Sequence, residues 1–142
     1  MLAFTDPPLC CVFERALLAR HAVCELAASH QFGERETVSC SRIAAHADCA
    51  RLAEMLREKS AFALGVTDTR RILPHAMLMK IECGGLNGMK RIYDGAALAP
   101  NVRRLLRLAR ERHGEPDALP FSEIVKGIAA WKPRRRQGAT PP

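Results

Sequence analysis

Apolar residues recur with a helical period along most of the chain. From Val12 to about Ser29 there is no Gly or Pro. At 100° per residue Phe13, Ala16, Leu17, Val23, Cys24 and Ala27 share one face, with Glu14, Arg15 and Glu25 away from its centre, the pattern of an amphipathic helix. Gln31-Phe32-Gly33 breaks it. The stretch GERETVSC has strand character at Thr37-Val38 but is too short to count as a sheet. Ser39 or Ser41 can cap a second helix to about Phe62, with Ala45, Cys49, Leu52, Ala53 and Leu56 as its apolar stripe. Gly65-Val66-Thr67-Asp68 ends it. Two such helices, joined by roughly ten residues, are expected to pack as an antiparallel hairpin.

Pro74 suits the first turn of a third helix, HAMLMKIEC, because its missing amide would have no partner there. Gly84-Gly85 and Gly88 then suggest a turn or a close approach to another element, followed by a short helix from Met89 to Tyr93. Asn101 can cap a fourth helix to His113, with Gly114 at its end. Its apolar face is Val102, Leu105, Leu106 and Ala109, and Arg103, Arg104, Arg107 and Arg110 take the other side. A fifth helix starts at Ser122 and stops before Pro133, anchored by Phe121, Ile124, Val125 and Ile128. The expected fold is therefore all-α: a compact bundle of about five helices beginning with an antiparallel helical hairpin. Residues 1–132 form its single domain and 133–142 a flexible basic tail.

Length and composition narrow this further. At 142 residues the chain suits one domain with a core that needs no staples. Aromatics are 5% of the residues, so Leu, Ala, Ile and Val must supply that core, a mixture that favours helices. The opening residues lack the basic and long apolar regions of a secretory signal, and no apolar run is long enough to span a membrane. A cytoplasmic location without membrane association is expected. In a reducing compartment the six cysteines, at 10, 11, 24, 40, 49 and 83, read as thiols or ligands rather than structural disulfides.

Six thiols within the first 83 residues exceed ordinary usage, which raises the prospect of a metal centre. None of their intervals is the short knuckle of a structural zinc site, so any ligand set must be assembled by folding. In the expected hairpin Cys24, Cys40 and Cys49 lie on adjacent levels, with Cys83 at the Gly-Gly turn as a fourth thiolate. On a straight first helix Cys10 would lie about 20 Å from Cys24. Cys10 or Cys11 could join only if the N-terminal segment folds back. Tetrathiolate ligation points to an iron–sulfur cluster, with zinc as the alternative, in an electron-transfer, redox-sensing or structural role. The pairs His21/Cys24 and His46/Cys49, each three residues apart, offer a less favoured Cys2His2 zinc set. Gly84 to Lys90 has the wrong spacing for a phosphate loop. An enzyme ranks last, for want of a polar catalytic constellation.

The charge is polarised. Residues 1–69 carry a net −2 and residues 70–142 a net +9. Arg103, Arg104, Arg107 and Arg110, with Lys132, Arg134, Arg135 and Arg136 beside Trp131, form a candidate surface for nucleic acid or an acidic protein partner. A cofactor-free basic helical module of that kind is the competing expectation for function.

Overall fold

The computed structural model describes residues 9–67 and 72–133. In chain order the elements are β1 (Leu9–Cys10), α1 (Glu14–Leu18), β2 (Ala27–Phe32), β3 (Arg35–Cys40), α2 (Ile43–Leu64), α3 (His75–Tyr93), α4 (Val102–His113), a 3-10 turn (Pro116–Ala118) and α5 (Phe121–Ala130). The described residues thus combine five helices with a three-stranded antiparallel sheet of order β1-β3-β2. This corrects the all-α expectation. The antiparallel helical hairpin expected at the start does not exist, because the first helix ends at Leu18, residues 19–26 form a connection and a strand begins at Ala27.

The reason lies in residues 19–33. Ala19 closes α1, and Arg20 takes a φ of 63°, a left-handed conformation that turns the backbone away from the helix axis. The His21 amide bonds back to the carbonyl of Ala16 at 2.9 Å, closing the helix end. β2, AASHQF, then pairs along its length with β3 from Ala27↔Cys40 to Phe32↔Arg35. Gly33, with φ 64°, and Glu34 make the two-residue turn between them.

The helical part follows the sequence pattern more closely. α2 starts at Ile43 rather than at a serine cap, and Ser41 instead donates its hydroxyl to the carbonyl of Leu26 at 2.9 Å. Gly65, in the left-handed region, ends it. Asn101 caps α4 through the Arg104 amide at 3.1 Å. One cluster joins Phe13 and Ala16 to Leu52, Leu56, Leu86, Met89, Leu105, Ile124 and Ile128, all but excluded from solvent.

α3 runs through Gly84, Gly85 and Gly88 without a break, so the glycines mark a close approach and not a turn. A Cβ on Gly84 would stand 2.7 Å from the Cα of Ile128, and one on Gly88 3.2 Å from the Ile124 carbonyl. Backbone therefore meets backbone where α3 crosses α5. Gly84→Ala is expected to destabilise the protein by about 1–3 kcal/mol, the usual penalty of overfilling a tight contact, despite alanine's helix preference of ~1 kcal/mol. Gly85→Ala meets only the Leu56 side chain, at 2.8 Å, and should cost less. Urea denaturation of both variants measures the difference; equal losses would contradict it.

Glu82 is buried on the same helix. Its Oε2 pairs with Arg15 Nη1 at 3.2 Å, while Oε1 has no hydrogen-bond partner among the described residues. Burial, opposed by the Arg15 guanidinium, pushes its carboxyl up to about 7 from an ordinary 4.5. The native carboxyl thus keeps its proton over a range where the unfolded one has lost it. Its contribution to stability falls as pH rises from about 4.5 to about 7. Urea midpoints across that range are expected to decline in the parent protein and to decline less in Glu82→Gln.

Candidate metal centre

Four short segments converge where the sheet meets the helices. Cys11 follows β1 directly, and its amide donates to the Val38 carbonyl at 2.9 Å, which extends the sheet by one residue. Cys24 sits in the connection between α1 and β2. That connection is held by Val23, whose amide donates to the Pro100 carbonyl at 2.9 Å and whose carbonyl accepts from the Val102 amide at 2.8 Å. Cys40 ends β3, opposite Leu9 on one side and Ala27 on the other. Cys49 lies on α2, one turn after the buried Ala45.

These four cysteines line one small cavity of about 20 Å³, room for roughly one water molecule. Val12, Leu26, Ala45 and Val102 supply its apolar wall, and His46 and Arg103 border it. All four are half-buried and none is disulfide-bonded. The thiols share a wall rather than a finished coordination shell. Among the described residues, no group of three or more His, Cys, Asp or Glu side chains is drawn together as a ready ion site.

Burial acts most clearly on two of these thiols, Cys49 and Cys11. Burial, followed by the proximity of Cys24, Cys11 and Cys40, pushes the Cys49 thiol up to about 12. Burial likewise pushes Cys11 up to about 11; the Phe13 backbone opposes this, while Cys24 and Cys40 add to it. Cys40 Sγ donates to the Arg42 carbonyl at 3.3 Å. An isolated negative charge is therefore costly here, and only a cation would make thiolates favourable. His46 Nε2 is 2.9 Å from the carbonyl of Cys10, and Arg103 Nη1 is 3.9 Å from Asp48.

Cys24, Cys40 and Cys49 line this cavity together with Cys11, but not on the adjacent levels of a helical hairpin that the spacing suggested, since that hairpin is absent. Cys83 is buried on α3 and belongs to the helical core, away from the chamber wall. Cys10 is exposed and does not line the chamber either, because alternation along β1 turns it away from Cys11. Cys11 was reachable from sequence only through the folded-back N-terminal segment. His21 stacks edge-on against Trp131, 5.4 Å between centroids, and its helical pairing with Cys24 is lost with the helix.

Three of the candidate basic residues are engaged in ion pairs within the chain. Arg104 pairs with Asp94 at 3.0 Å, Arg110 with Asp48 at 3.3 Å, and Arg103 reaches the same Asp48. Arg107 and Lys132 are exposed, and Arg134, Arg135 and Arg136 lie outside the described residues. No described helix is long and apolar enough to cross a membrane.

Comparison with known proteins finds no matching family model, no similar curated protein and no similar solved structure. The chamber has to be interpreted from its own geometry.

The raised thiols predict an order of reactivity. In metal-free protein at neutral pH, alkylation should modify exposed Cys10 well before Cys11 or Cys49, and unfolding in urea should bring all three to similar rates. Peptide mass spectrometry after a short iodoacetamide pulse resolves the sites. Equal labelling of Cys10 and Cys49 in the folded protein would contradict the burial described here.

Proposed function

We propose that the chain is a small metal-binding protein whose Cys11, Cys24, Cys40 and Cys49 ligate an iron–sulfur cluster. The observation that carries this is the meeting of four cysteines, from four separate segments, on one cavity with an otherwise apolar wall. A chance scatter of small hydrophobes would leave thiols apart from one another, as Cys83 lies in the helical core away from this cavity. Four thiolates suit zinc or an iron–sulfur centre. The absence of knuckle spacing, with 12, 15 and 8 residues between successive ligands, favours the cluster, for which the cavity of about 20 Å³ would have to widen, whereas a zinc ion would need no such widening.

Ligation requires each thiol to give up its proton, so the high values of Cys11 and Cys49 make loading pH-dependent, stronger towards alkaline pH. A bound centre would join β1, the α1–β2 connection, β3 and α2. Its first role is therefore structural, since it ties the sheet to the helices. Redox activity would be added to that role. Such thiols persist in a reducing compartment, which accords with a cytoplasmic protein.

Protein purified without oxygen, or reconstituted with ferrous iron and sulfide, should contain iron and acid-labile sulfide and show visible charge-transfer absorption. Cys24→Ala and Cys49→Ala should lose both, and Cys10→Ala and Cys83→Ala should keep them. Zinc in place of iron would preserve the ligand set and replace the cluster. Folded protein that takes up no metal, or equal loss in Cys83→Ala and Cys49→Ala, would overturn the assignment and return the chain to a cofactor-free basic module.

A further inference from the structure

A second cavity, of about 80 Å³, opens between α4, the 3-10 turn that follows it and Asp48 of α2. We propose that this cleft binds a small organic monocarboxylate. The proposal is independent of the thiol chamber and of any metal there.

The floor is apolar. Ala109 and Leu119 are buried, and Leu106 is half-buried against the same core. The rim is cationic, because Arg103, Arg107 and Arg110 recur at intervals of four and three along α4 and so project to one side of the helix. A concave apolar floor with a few convergent charged groups is the usual construction of a small-molecule site. It differs from a flat basic face, which would suit a polyanion.

The charge count selects the ligand. Three guanidiniums face two carboxylates, Asp48 and Glu115, leaving one positive charge. Asp48 is divided between Arg110, at 3.3 Å, and Arg103, at a stretched 3.9 Å. Among the described residues no carboxylate pairs with Arg107. A singly charged carboxylate would neutralise the excess and accept a two-pronged hydrogen bond from the Arg107 fork. A dianionic phosphate would overshoot the charge and leave the apolar floor uncovered.

Size sets the remaining limit. A cavity measured this way needs roughly 10–15 Å³ per water, so about 80 Å³ accommodates a molecule of about five or six non-hydrogen atoms. That describes a carboxyl head with a three-carbon tail. The tail would cover Leu106, Ala109 and Leu119.

Butyrate is the direct probe. Titrated into the full chain and followed by amide NMR, it should bind saturably and shift the resonances of Leu106, Ala109 and Leu119. It should also bind more tightly than inorganic phosphate at equal ionic strength. Arg107→Gln should weaken butyrate about tenfold or more, the loss expected for one charge-assisted hydrogen bond. Arg107 is exposed, and the same spectra report whether the variant is folded. No saturable binding, binding indifferent to Arg107→Gln, or tighter binding of phosphate than of butyrate would each overturn the proposal.

Discussion

Two backbone hydrogen bonds between Val23 and the start of α4 decide where the N-terminal third of the chain goes. The first amides of any helix lack partners within it, and α4 meets this need in two ways. Asn101 takes the Arg104 amide, and the Val23 carbonyl takes that of Val102. The Val23 amide completes the pair by donating to Pro100. Each bond is worth only about 1 kcal/mol net, but leaving such groups buried and unmet would cost more. An extended segment is therefore fixed against the helical core, with Cys24 as its next residue. β2 can then begin at Ala27 in register with Cys40, and the chamber forms behind it.

This constraint also explains which parts of the fold were legible in the sequence. α2, α4 and α5 were visible because each has an apolar stripe at helical spacing, and the caps at Asn101 and Gly65 agree with it. β2 was not visible. Ala, Ala, Ser, His and Gln carry no β-branching, and Val23, Cys24 and Ala27 happen to continue the helical face of Phe13 and Ala16. Tertiary pairing overrides local preference here, as it often does in strands. The glycines of α3 signalled a close approach correctly, but Gly84 sits inside a helix because α5 needs its missing side chain. Three of the four chamber cysteines were candidates by their number alone, because the hairpin levels that grouped them do not exist. Cys11 was not, because its place depends on the strand β1 that pairs behind it.

Charge behaves differently from the thiols. The basic second half suggested a surface seeking a partner, yet two of its arginines are met by Asp48 of the first half and a third by Asp94 of its own half. Asp48, the neighbour of Cys49, holds both Arg103 and Arg110. Exposed pairs of this kind contribute little stability, about 0–1 kcal/mol each. Their effect is organisational: they set α4 against α2 and keep Arg103 at the boundary of both cavities. The asymmetry between the halves is thus offset at one point along α4, where Asp48 meets two arginines, while the chain as a whole keeps a net charge of +7.

The sheet itself supplies the last step. Three short strands are barely stable in water without an apolar face to bury, and this sheet buries little. β2 is exposed along nearly all its length, and Val38 is the one fully buried aliphatic residue of β3. Polar contacts such as the Glu14 carboxylate on the Val38 amide, at 2.8 Å, carry part of the load. The four thiols occupy the position where a larger protein would place a second set of aliphatic side chains. A chain that puts cysteines there, instead of leucines, gives up apolar burial at the junction that most needs it. An ion cross-linking those sulfurs would replace that burial, closing three loops of 12, 15 and 8 intervening residues and constraining the unfolded chain much as covalent bridges do. Under the proposed ligation, one cross-link would thus offset the thin apolar burial of the sheet.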